Sequence, residues 1–161
     1  MHRGLALLVC FVGLFLASCT KWNHEMPSDK DLQGVFTGNR SELEGLLKMF
    51  QEDAGYQWID VSHIYPEKPP LPGERWLTYR AAFKRLGLSN GVERNPFRPD
   101  ITFFNAASSG NPSGGKTKGF AHCPSELPVV ESLDGIDLKS RTTDYFFKKL
   151  DGEWYLFLNV D

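Results

Sequence analysis

Apolar residues recur at helical spacing at Leu43, Leu46, Leu47 and Phe50, directly after Ser41-Glu42-Leu43-Glu44, which has the form of a capping box. This predicts a first helix starting at Ser41 and ending at Gly55. Residues 56–65, with Tyr56, Trp58, Ile59, Val61, Ile64 and Tyr65, are aromatic and β-branched and close at Pro66, which predicts a strand. Pro66, Pro69, Pro70 and Pro72 then hold the chain extended. Over residues 74–86, Trp76, Tyr79, Arg80, Phe83 and Leu86 fall near one face, while Arg75, Thr78, Lys84 and Arg85 lie elsewhere. Gly87 is placed to end that second helix.

The second half alternates. Ile101-Thr102-Phe103-Phe104 reads as a short strand that pairs with residues 118–122, the Gly/Ser-rich stretch 108–119 between them reading as a mobile loop. The strongest β signal comes last, where residues 144–150 and 153–160 flank Asp151-Gly152, a dipeptide that favours a type I′ turn. Both faces of this hairpin carry aromatic residues, so one face is expected against the helices and the other partly covered. Helices first and meandering strands later give an α+β fold: two helices packed on one face of a twisted, mainly antiparallel sheet that ends in a β-hairpin.

The first residues read as an address rather than as fold. His2 and Arg3 precede an apolar run over residues 5–16 and small residues at Ala17 and Ser18, the plan of an export signal. The run is too short to span a bilayer, which takes about 20 apolar residues. Leu16-Ala17-Ser18-Cys19 resembles the lipobox of bacterial lipoproteins. The resemblance implies removal of a signal peptide at 1–18 and acylation of Cys19 by diacylglycerol and a further palmitate-type chain. Thr20 in place of Asp implies, by the same resemblance, the cell outer membrane with the domain facing the periplasm. Residues 19–33, polar and aperiodic, are expected to be a lipidated N-terminus and flexible tether, and residues 34–161 a single globular domain.

Composition narrows the partners. With Arg3 gone, 17 basic residues face 20 acidic ones, a balance of −3, and no Lys/Arg run exceeds Lys148-Lys149. Nucleic acid is not an expected partner. Cys10 leaves with the signal and Cys19 takes lipid, so Cys123 has no intrachain disulfide partner.

Candidate chemistry is sparse. Residues 110–117 match the phosphate-loop pattern G-x-x-x-x-G-K-T, yet Gly119, Pro124 and Pro128 follow where that loop must open a helix, so no nucleotide is expected. His122 and Cys123 are neighbours and would point to opposite faces of a strand, which leaves His63 as the imidazole for any thiol chemistry. A buried, inert Cys123 is the preferred reading. Glu42, Glu44, Glu52 and Asp53 read as helix surface; Trp58, Trp76 and Trp154 as core; Trp22 as a membrane-interface residue. No catalytic, cofactor-binding or metal-ligand spacing stands out, and His24 falls in the tether. Leu150-Asp151-Gly152-Glu153-Trp154-Tyr155 resembles the last hairpin of cone-shaped NTF2-like domains, which implies a ligand pocket between helices and sheet. The preferred function is a non-enzymatic envelope lipoprotein that binds another envelope protein, as an assembly factor, inhibitor or immunity-like protein does. Two alternatives stay open: an envelope cysteine hydrolase using Cys123 and His63, and a small-ligand carrier.

Overall fold

The computed structural model describes residues 26–67, 69–111, 114–137 and 143–160. The signal at 1–18, the lipidation residue Cys19, Trp22 and His24 lie outside the described residues. Within them the chain forms α1 (Asp29–Glu52), β1 (Trp58–Ile59), β2 (Ile64–Tyr65), α2 (Gly73–Leu86), β3 (Val92–Arg94), β4 (Thr102–Asn111), β5 (Gly114–His122), β6 (Tyr145–Lys149) and β7 (Trp154–Val160). The strands make one open antiparallel sheet in the order β2-β1-β3-β4-β5-β7-β6. The fold is α+β.

α1 begins twelve residues earlier than the periodicity predicts, so residues 29–33 belong to the helix and not to a tether. The cause is local. The Asp31 amide donates to Ser28 Oγ at 3.2 Å and Asp31 Oδ2 accepts from the Ser28 amide at 3.3 Å, a capping box with Asp in the usual Glu position. Leu32 and Phe36 then bury one face of the first two turns. Asn39 leaves helical geometry at φ −132° and kinks the helix, which separates this half from the Leu43–Phe50 half that the sequence pattern reveals.

The single strand expected over 56–65 is instead a tight hairpin. Asp60 Oδ1 accepts the amides of Ser62 and His63, both at 2.5 Å, and this side-chain turn reverses the chain between β1 and β2. α2 ends as expected, with Gly87 left-handed at φ 69° and its amide donating to Phe83 O. Arg80, by contrast, is exposed and rests on the Trp76 ring at 5.5 Å rather than facing the core.

β4 and β5 run on through the stretch read as a mobile loop, paired from Thr102↔His122 to Asn111↔Gly114, with Ser108 and Thr117 hydroxyls 2.9 Å apart across the strands. A register shift between Asn105 and Ala107 marks a β-bulge. Gly119 sits opposite, where a Cβ would come 2.0 Å from Phe104 O, so only glycine allows that approach. The terminal hairpin forms as expected, but its turn does not. Trp154 N donates to Asp151 O, and Gly152 alone has positive φ (55°). Type I′ needs two such residues; one, at the first central position, is the type II′ pattern.

Both sheet faces are covered. The helices pack Leu43, Leu46, Phe50, Tyr79 and Phe83 onto Phe104, Phe120, Trp154 and Leu156. On the opposite face Phe103, Phe147, Tyr155 and Phe157 cluster with Leu127 and Cys123. Val130 N donates to Phe147 O at the outer edge of β6, and Leu133 joins the helix-side core, so the segment after Cys123 wraps that edge.

Candidate functional site

The structure does not bring the two residues of the thiol reading together. Cys123 follows β5, is 1% exposed, and belongs to the face turned away from the helices. Its Sγ lies 3.5 Å from Asp100 Oδ2 and 3.8 Å from Arg98 Nη2, and burial, with the Asp100 carboxylate adding to it, pushes the thiol pKa up. His122 turns to the other face, edge-on to Trp154 at 5.1 Å and 3.1 Å from Glu153; burial holds its pKa below the usual value against the pull of Glu153. His63 is exposed on the β1–β2 turn, stacked on Trp58, and β2 lies four strands from β5. At about 4.8 Å per step that is roughly 19 Å across the sheet. Cys123 and His63 are therefore not brought together.

The other sequence candidates are absorbed by structure. In the phosphate-loop match, Gly114, Gly115, Lys116 and Thr117 are strand residues paired with β4, with no helix N-terminus to present amides. Glu42 pairs with Arg85, Glu44 with Arg40, and Glu52 and Asp53 with Arg75; Asp53 also accepts the Tyr79 hydroxyl at 2.7 Å. Each of these four acids is thus engaged by an arginine. Trp154 is core, whereas Trp58 and Trp76 are half-buried, their indole N–H groups donating to Asn90 O and Asp60 O. Among the described residues no cluster of His, Cys, Asp and Glu could hold a metal ion, and no helix is long and apolar enough to cross a membrane.

What the structure adds is a groove of about 870 Å³ beside α2. It exists because β1, β2 and β3 are two or three residues long while β4 runs ten, so beyond Ala106 the sheet has a notch. The outward side of α2, with Leu77, Arg80, Ala81 and Lys84, forms one wall, and Ala107 and Ser108 of β4 form the other. Val61 and Met26 stand at its margins, and Leu77 and Val61 are 62% and 41% exposed.

The wall carries uncompensated charge. Arg40, Arg75, Arg85 and Arg98 each meet a carboxylate, and Arg94 donates to the carbonyls of Tyr56 and Phe50. Arg80 has neither among the described residues, and Lys84, one turn further on, has no acid either. The sequence carried a trace of this: Leu77, Arg80 and Lys84 at i, i+3 and i+7 form one stripe in which an apolar residue sits among cations. The notch itself depends on strand lengths that periodicity does not encode.

No family model, no curated protein and no solved structure matches the chain.

Proposed function

We propose that this chain is a bacterial envelope lipoprotein, anchored through Cys19 at the cell outer membrane, whose periplasmic domain binds another envelope protein in the groove between α2 and β4. The lipobox supports the anchor. The observation that carries the binding reading is the Arg80 guanidinium, which meets no carboxylate among the described residues and rests on Trp76 in the wall that also exposes Leu77. An exposed cation without an acid, in a molecule whose Arg40, Arg75, Arg85 and Arg98 each meet a carboxylate, fits a surface whose acid arrives on a partner. Catalysis has less support, since Cys123 is shielded and His63 lies far from it across the sheet.

Anchor and groove are also close along the chain. Met26 borders the groove, and the seven residues 19–25 reach at most about 25 Å when fully extended. The bound partner is then one that works at the membrane surface.

A photocrosslinking residue at Ser108 of the full-length protein, in its own envelope, tests the binding reading against one at Glu126, which is exposed on the far side of the sheet. One stoichiometric protein adduct from Ser108 alone is expected. Adducts to lipid only, or equal adducts from both positions, reject it. For the anchor, Cys19→Ala should lose metabolic label from a palmitate analogue, and equal label on both proteins ends that assignment.

A further inference from the structure

We propose that the groove receives an extended peptide with glutamates at alternate positions, which adds as a strand to the free edge of β4 at residues 107–110. This rests on the protein-binding reading above and specifies how the partner docks.

Among the described residues the two end strands and the outer half of β4 have backbone open to another strand, and the end strands are protected. At one end β2 is only two residues long and runs into Pro66. At the other, β6 carries Lys148 and Lys149 and is partly covered through the Val130–Phe147 bond. Short length, proline, lysine and a covering loop are the devices by which sheets block unwanted pairing. The third place is the outer half of β4. β3 pairs only with Thr102, Phe103 and Phe104, and the chain leading into β3 adds bonds from Ser89 N to Ala106 O and from Asn90 N to Asn105 O. Past Ala106 no backbone bond reaches β4 on that side among the described residues. The half-exposed stretch Ala107-Ser108-Ser109-Gly110 has no charge, no proline and no large side chain. Four residues offer about 13 Å of edge, enough for a short strand held mainly by main-chain hydrogen bonds.

Charge then selects among peptides. Arg80 and Lys84 are one turn apart, about 6 Å along α2. Alternate residues of a strand are about 6.7 Å apart and share a face. Two acidic side chains at i and i+2 match the two cations in spacing. Glutamate suits the site better than aspartate because its methylenes can lie on Leu77 and Ala81 before the carboxylate meets a cation. Trp76 holds the Arg80 guanidinium by its ring face, which limits the freedom lost on binding.

The test uses the full mature chain and synthetic Thr-Glu-Val-Glu-Thr, its Gln and Lys counterparts, and two forms of the Glu peptide N-methylated at alternate residues in either phase. Amide exchange of residues 107–110 and peptide affinity are read together. The Glu peptide should slow exchange at 107–110 and bind at least tenfold more tightly than the Lys peptide and several-fold more tightly than the Gln peptide. Arg80→Ala with Lys84→Ala should erase that ranking. One N-methylated phase should bind and the other should not, because only one edge of the added strand faces β4. Equal binding of both phases, no protection at 107–110, or displacement of the peptide by phosphatidylglycerol vesicles would overturn the proposal. If Ser108 still crosslinks one protein while none of the peptides protects β4, the groove binds protein in another way and only the strand-addition inference fails.

Discussion

Lys118 on β5 and Asp29 at the start of α1 form an ion pair, Nζ to Oδ1 2.8 Å, with side chains only 3% and 5% exposed. It is the centre of a larger knot. Asp29 Oδ2 accepts the Leu133 amide at 2.9 Å and faces Lys148 Nζ at 3.1 Å, while Asp134 takes the Asp29 amide at 2.9 Å and Lys118 Nζ at 2.6 Å. Two acids and two lysines thus tie the first turn of α1 to β5, β6 and the loop that wraps the sheet edge. Buried charges are tolerated only when paired and hydrogen-bonded in this way.

The acid limb of the stability profile should report this knot. Burial alone would raise the Asp29 pKa, but the Lys118 bond, the Leu133 amide and Lys148 outweigh it and hold the carboxyl at about 2, below its ordinary 3.8. A depressed folded-state pKa gives stability that is complete above pH 3.8 and is lost as pH falls through about 2. The shift corresponds to about 2 kcal/mol. In denaturant titrations from neutral pH to pH 2, Asp29→Asn should flatten this part of the acid limb relative to the wild type; an unchanged acid limb would remove Asp29 from the account.

Lys118→Met should destabilise the fold by about 3 kcal/mol, near the lower end for breaking a buried pair, because Lys148 stays to compensate Asp29. Adding Asp29→Leu to Lys118→Met should restore much of the loss, since no buried charge then lacks its partner. Denaturation midpoints of the two single variants and the double variant decide this. Losses that simply add would show that the two residues do not act as a unit.

This knot shows where the sequence was legible and where it was not. Leu43, Leu46, Leu47 and Phe50 announce their helix by period, and Asp151-Gly152 announces a hairpin, because both signals are local. Asp29, Lys118, Asp134 and Lys148 are as much as 119 residues apart and look like ordinary solvated charge until the fold brings them together. Residues 29–33 look like tether for the same reason: Leu32 and Phe36 are sparse among polar neighbours, and Phe36 is covered by Phe120 and Trp154 from distant strands. The groove was hidden in a different way. Its wall residues are visible on α2, but the notch opposite them is set by where β1, β2 and β3 stop.

Gly152→Ala should cost about 1 kcal/mol, because a left-handed φ is unfavourable for any residue with a Cβ. Space is not the obstacle, as the nearest side-chain atom to that Cβ would be Arg40 Nη2 at 3.8 Å. Asp151→Ala should cost less, since Asp151 has ordinary negative φ and its exposed ion pair with Arg40 is the kind that contributes little. Comparable losses in urea denaturation would show that the positive φ of Gly152 is not what makes this turn sensitive.

Cys123 decides between a structural thiol and a nucleophile. It is enclosed by Ile101, Phe103, Ala121 and Leu127, its amide is fixed to Glu153 O at 2.9 Å, and burial with the Asp100 carboxylate disfavours the thiolate. A thiol reagent should therefore react with the native protein about a hundredfold more slowly than with the denatured chain, because the sulfur is reached only through local opening. Cys123→Ala should lose about 1 kcal/mol for the atoms removed and the small void left behind, and should still fold. The Ser108 crosslink, which lies outside the cluster around Cys123, should persist in that variant. Rapid alkylation of the native domain, with a folded Cys123→Ala protein that has lost its biological effect, would instead make the thiol the working group and point to a base other than His63.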